Sequence, residues 1–219
     1  MPSPEAILSL AARIANEYRT LAIGWHVYLG AILVAALAGW RPSNRFAGYA
    51  LVAPLLSVSA LAWASGNPFN GVTFAALALL LFGFATRLST EPVTVASSLL
   101  LLSGALLVAF GWTYPHFLTG RHWTAYTYAA PFGLLPCPTL STVIGFTLTL
   151  DMLRSKAWSM TLAVAGFGYG AIGVFTLGVT LDWGLLAGAT LLGVVAGVST
   201  RQRSEGTDRD ERTRRKDAA

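Results

Sequence analysis

Three histidines and a single cysteine are the residues of this 219-residue chain best suited to ligation or nucleophilic chemistry: His26, His116, His122 and Cys137. Cys137 stands in the stretch PFGLLPCPTL (131–140), with prolines at 131, 136 and 138. Imidazole and thiolate suit a soft cation or a haem-like group, and a thiolate beside a histidine base is also a nucleophile's arrangement. Proline lacks a backbone donor and fits the first helical turn, while the residue before it avoids the helical region. The spacing predicts a helix that starts at Pro138 with Cys137 as its cap, and PFGLLP descending to it as irregular or kinked chain. A helix N-terminus presents free N–H groups, which suit an anionic ligand and favour a neighbouring thiolate. Thr139, Ser141 and Thr142 add hydroxyls just past it. The plainer reading is a proline-kinked span with Cys137 packed as a small hydrophobe.

The elements that position these residues follow from composition. The chain is 54% hydrophobic and 11% charged, with mean hydropathy +0.59, whereas soluble domains carry about 25% charged residues. Between Thr20 and Thr200 the charges are Arg41, Arg45, Arg87, Glu91, Arg121, Asp151, Arg154, Lys156 and Asp182, each at a break between apolar runs. A charge at mid-bilayer costs several kcal/mol, so this pattern marks a polytopic membrane protein. The runs are 20–40, 46–64, 71–86, 93–113, 131–152, 157–179 and 184–200. The expected fold is therefore all-α: a transmembrane helical bundle of about seven spans with a broken or kinked fifth, or six if a Gly-rich late segment is re-entrant. Residues 1–19 form an amphipathic surface helix, with Ile7, Leu10, Ala11, Ile14 and Tyr18 at helical spacing. The bundle covers 20–200, and 201–219 is a disordered charged tail.

With the N-terminus outside, twelve Lys and Arg fall in the inner connectors and tail, against Arg13, Arg19 and Arg121 outside. The positive-inside rule selects that threading, with the tail cytoplasmic at a bacterial inner membrane. The tail holds seven of the fifteen basic residues beside five acidic ones, so the net charge of +5 points to the lipid bilayer as partner and not to nucleic acid. One cysteine excludes an internal disulfide. No removable signal peptide is expected, because the first apolar run is long enough to span. Glycines four apart in GFGYG (166–170), GLLAG (184–188) and GVVAG (193–197) let helices approach closely in lipid. Packing within the chain is favoured over an oligomer through these late helices.

The outward threading collects the polar groups at one end. His26 and Cys137 each lie roughly 9 Å below the outer surface at 1.5 Å per residue. The outer connectors add Asn70, Tyr114, His116, Arg121, His122 and Asp182. The candidate ligand site therefore comprises Cys137, His26, Pro136, Pro138, Thr139, His116, His122, Asn70 and Asp182, with Cys137 and His26 as weak metal candidates. The bland alternatives are loop polarity for His116 and His122, turn chemistry for Asn67 and Asn70, and solvation or an ion pair for Asp182. No H-E-x-x-H, Walker loop or G-x-S-x-G occurs, which removes the familiar metalloproteases, nucleotide-driven pumps and serine hydrolases. Three classes remain: a membrane protein that binds or passes a small molecule or metal through an outward pocket, a non-catalytic scaffold, and an intramembrane thiol enzyme.

Tyr114, Pro115, Gly120, Phe132, Gly133, Pro136, Cys137, Pro138 and Thr139 carry a resemblance. The block 114–148 resembles a family of small bacterial multi-pass membrane proteins of unknown activity, marked by Phe-Gly-x-x-Pro-Cys-Pro-Thr. GVTLDWGLLAG (178–188) and, more loosely, NPFNG (67–71) are similar too, while Arg121 before His122 departs from the pattern. The resemblance implies an inner-membrane location and no particular chemistry.

Overall fold

The structure, a computed structural model, describes residues 3–120 and 122–198. Arg121 and the charged tail lie outside the described residues. Among the described residues nine helices follow one another: α1 (Pro4–Glu17), α2 (Arg19–Leu37), α3 (Asn44–Ala64), α4 (Pro68–Ala85), α5 (Ser98–Thr113), the single turn α6 (Tyr126–Ala129), α7 (Pro136–Thr149), α8 (Lys156–Ala171) and α9 (Thr180–Val198). Among the described residues there is no strand beyond the isolated bridge Ser43–Pro92. Helix starts are set by side-chain caps: the Ser3, Ser43 and Ser155 hydroxyls and the Asn67 carbonyl each accept an N–H from the first turn.

Among the described residues five helices are long and apolar enough to cross a membrane: α2, α3, α4, α9, and α8 together with its continuation to Thr176. The two other expected spans are shorter. α5 has 16 residues, because 93–97 is not helical. α7 has 14, about 21 Å of rise against ~30 Å of hydrocarbon. Large apolar side chains such as Val34, Leu37, Leu79, Leu99 and Phe175 are left exposed, as a lipid-facing surface requires.

α7 is the hub. Every residue from Pro138 to Leu148 is buried, so this helix meets protein on all sides. Its Thr139, Thr142 and Thr147 hydroxyls donate to carbonyls one turn back at 2.7, 2.9 and 2.9 Å, which satisfies them where water is absent. In lipid the attraction between helices is close packing. A Cβ at Gly104 of α5 would stand 2.6 Å from the Gly145 carbonyl oxygen of α7, and a Cβ at Gly145 would stand 2.7 Å from that of Gly104. The late glycines serve the same purpose within the chain: Gly166 faces Ile144 and Ala189, and Gly170 faces the Leu186 backbone.

The connectors meet at two ends. At one, Asn44 N–H donates to the Glu91 carbonyl, Val93 N–H to that of Pro42, and Ala96 N–H to that of Thr149. At the other, the Asn16 amide of α1 donates to the Phe117 carbonyl at 2.9 Å and accepts from Thr119 N–H at 3.2 Å. α1 also packs Ile14 and Ala15 against Leu61, Leu134 and Leu135, so the amphipathic helix caps the bundle.

Candidate functional site

The segment 130–135 is buried yet not helical. It turns at Gly133, whose φ of +73° suits a residue without a Cβ; a Cβ there would strike the Trp25 ring. Thr139 pins the turn by accepting the Gly133 N–H at 2.9 Å. The helix then begins at Pro136 with Leu135 as its cap, two residues before the predicted start. Cys137 is thus the second residue of α7 and not its cap. The physical reason lies in the spacing: Pro136 and Pro138 both fit a first turn, and the chain uses the earlier one. A consequence follows for chemistry. A helix N-terminus ordinarily offers four free N–H groups, and two of these positions are prolines. α7 therefore makes a poor anion cradle.

What Cys137 meets is a carboxylate. Its thiol donates to Asp182 Oδ2 at 3.2 Å, and the Tyr114 hydroxyl donates to Asp182 Oδ1 at 2.7 Å. Asp182 is 2% exposed and Tyr114 fully buried, while Cys137 is partly exposed. This corrects the expectation of a solvated or ion-paired Asp182. The carboxylate is accommodated by α8, whose last turn widens into a π-helix over Ile172–Thr176. That turn brings Gly173 against the carboxylate, which occupies the place a Cβ would take. Burial, and secondarily the acidic groups beside it, push the Tyr114 phenol above its ordinary range, so Tyr114 remains a donor. His116 is partly buried beside Phe117, ring centroids 4.1 Å apart.

The remaining candidates fall elsewhere. His26 is buried, with Nδ1 2.8 Å from the Ala22 carbonyl oxygen and Nε2 2.9 Å from that of Trp112. Both nitrogens face acceptors, so His26 fastens α2 to the end of α5. His122 is exposed, and its Nδ1 accepts the Thr124 N–H. The Asn70 side-chain carbonyl accepts the Tyr169 hydroxyl at 2.9 Å. Tyr114 completes the cluster, and its signal in the sequence is slight: a tyrosine directly before a proline at a helix end. Among the described residues no group of three or more His, Cys, Asp or Glu could hold a metal ion. Two cavities are lined without Asp182, Cys137 or Tyr114: one of about 560 Å³ between α2, α3, α5 and α7, reaching as far as Thr113, and one of about 340 Å³ beside Arg87 and Glu91.

Comparison with family models, curated proteins and solved structures returned no match. What the geometry shows is a buried carboxyl that receives hydrogen bonds from two neutral donors, the Tyr114 hydroxyl and the Cys137 thiol.

Proposed function

We propose that this membrane protein binds a small cationic or hydrogen-bond-donating ligand from the outside at the Asp182–Cys137–Tyr114 cluster, beside the non-helical head of α7. The supporting observation is the 2% exposed Asp182, held by the Tyr114 hydroxyl and the Cys137 thiol. Ionisable groups within membrane bundles are costly and are retained at sites of binding or transfer. The anionic ligand is the less favoured, because the prolines remove helix donors and a carboxylate faces the thiol. The reading includes a seven-crossing chain, with α1 and connectors 65–67, 114–135 and 177–179 outside. It is supported by the grouping of connectors at two ends and by the excess of Lys and Arg at the other end. The likeness of 131–139 to the Pro-Cys-Pro-Thr family fits a bacterial inner membrane. The thiol-enzyme alternative lacks support from His26, whose nitrogens both sit on backbone carbonyls.

The test uses the only thiol in the chain. Intact vesicles or cells carrying the protein are treated with a small membrane-impermeant thiol reagent, with and without protonated amines or monovalent cations. Labelling from the outside that a cation slows, and whose cation sensitivity Asp182→Asn abolishes, is the expected result. A thiol that stays unlabelled until the protein is unfolded would overturn the reading in favour of a packed scaffold.

A further inference from the structure

The larger cavity is a groove whose walls are apolar over almost their whole area, closed at one end by Trp40, Arg41 and Pro42. It exists because α2 stands apart from the bundle: 17% of its span is buried, against 56% for α3. The opposite wall is α5, whose exposed Ala105 and Ala109 stand one turn apart and leave room where larger side chains would fill it. On α5 the lining runs from Leu101 to Thr113, about 18 Å at 1.5 Å per residue, slightly more than half of a ~30 Å hydrocarbon core. The groove is therefore about as deep as one leaflet. Arg41 is the single charged residue among those lining it. Its Nη1 donates to the Ala36 carbonyl at 3.3 Å, which draws the guanidinium toward the mouth. The remaining N–H groups of that fork are directed to no partner in the described contacts, and their planar geometry matches a phosphate. Trp40, on the same rim, suits the level of lipid headgroups.

From these features we infer that the groove between α2 and α5 is a binding site for one anionic glycerophospholipid of the leaflet at the Arg41 end, an acyl chain lying along Ala105 and Ala109 and the phosphate on Arg41. The site is separate from the Asp182 cluster and does not depend on it. A bilayer lipid is the occupant that joins an apolar tail of leaflet depth to an anion at the headgroup level.

Native mass spectrometry of the full-length protein in detergent, titrated with phosphatidylglycerol or phosphatidylcholine, tests this. The expected result is one lipid retained per chain, with phosphatidylglycerol preferred. Arg41→Gln should weaken phosphatidylglycerol about tenfold, the factor that ~1.4 kcal/mol represents, and erase the preference. Ala105→Trp should remove both lipids, provided its unfolding temperature matches wild type. If Ala105→Trp does not fold, Arg41→Gln decides alone, because an exposed arginine is removed without touching the core. A preference unchanged in Arg41→Gln overturns the inference. So does a dimer that Ala105→Trp dissolves, which would make a second copy the occupant.

Discussion

Gly173→Ala is the sharpest probe of how the carboxylate is accommodated. A Cβ at this position would coincide with Asp182 Oδ2 and stand 2.7 Å from its carboxyl carbon. The carboxylate must then move, and in moving it loses the Cys137 thiol bonded to that oxygen. Overpacking a buried site costs roughly 1–3 kcal/mol, and a hydrogen bond to a charged group contributes about 1.5–3 kcal/mol. The two together make Gly173→Ala roughly 3–5 kcal/mol destabilising in a protein whose whole stability is of order 5–15 kcal/mol. In the background of Asp182→Ala the carboxyl is gone, and the Cβ of residue 182, 2.9 Å from the added methyl, is the close contact that remains. Alanine exceeds glycine in helix propensity by about 1 kcal/mol, which offsets part of it. The same substitution should then cost far less, about 1 kcal/mol at most. The assay is equilibrium unfolding of the purified protein in mixed micelles, for wild type, both single variants and the double variant. The expected coupling is at least ~2 kcal/mol, well above the ~0.3–0.5 kcal/mol by which independent sites deviate from additivity. Equal costs of Gly173→Ala in the two backgrounds would falsify the placement of Asp182 against the π turn.

Two further outcomes are expected. Gly104→Ala sets a methyl 2.6 Å from the Gly145 carbonyl oxygen and 2.9 Å from the Thr149 nitrogen, backbone on both counts. It should lower stability by about 1–3 kcal/mol or more, whereas Gly83→Ala, where nothing lies within 4 Å, should not; equal unfolding midpoints for the two would contradict the α5–α7 packing. At the N-terminus, the first-turn backbone N–H and then the Ser3 hydroxyl hold the Glu5 carboxyl below its ordinary 4.5. A depressed carboxyl contributes stability above that value and loses it as pH falls through the folded value. Amide protection in α1, corrected for intrinsic exchange, should therefore fall as pH drops below 4.5, while α7 keeps its protection.

The membrane class and most helices were legible because both are set by composition and local chemistry. Charges confined to breaks between apolar runs, and serine or asparagine before Ala6, Phe46, Asn70 and Trp158, are written in single residues and short spacings. The head of α7 was legible in kind and displaced by two residues, since Pro136 and Pro138 satisfy the same first-turn rule and only the fold around Trp25 and Gly133 selects between them. His26 was singled out by depth, but depth does not say what a ring faces. Its partners are the carbonyl one turn back on its own helix and Trp112, 86 residues away.

Asp182 was the least legible, and the reason is physical. A short connector, TLDW, between two apolar runs reads as solvent-facing because the rule for charges in membranes speaks of spans. Burial here arises from a change in helix pitch: the π turn at Ile172–Thr176 brings Gly173 alongside the start of α9, and no residue type announces a π turn. Tyr114, just past the end of α5, and Cys137 of α7 then meet the carboxylate, 68 and 45 residues away along the chain. The polarity of the site is reversed by that meeting. Cys137 alone, at a helix N-terminus, looked suited to anions. With prolines on both sides removing backbone donors and a carboxylate in front, its thiol acts as the donor to Asp182.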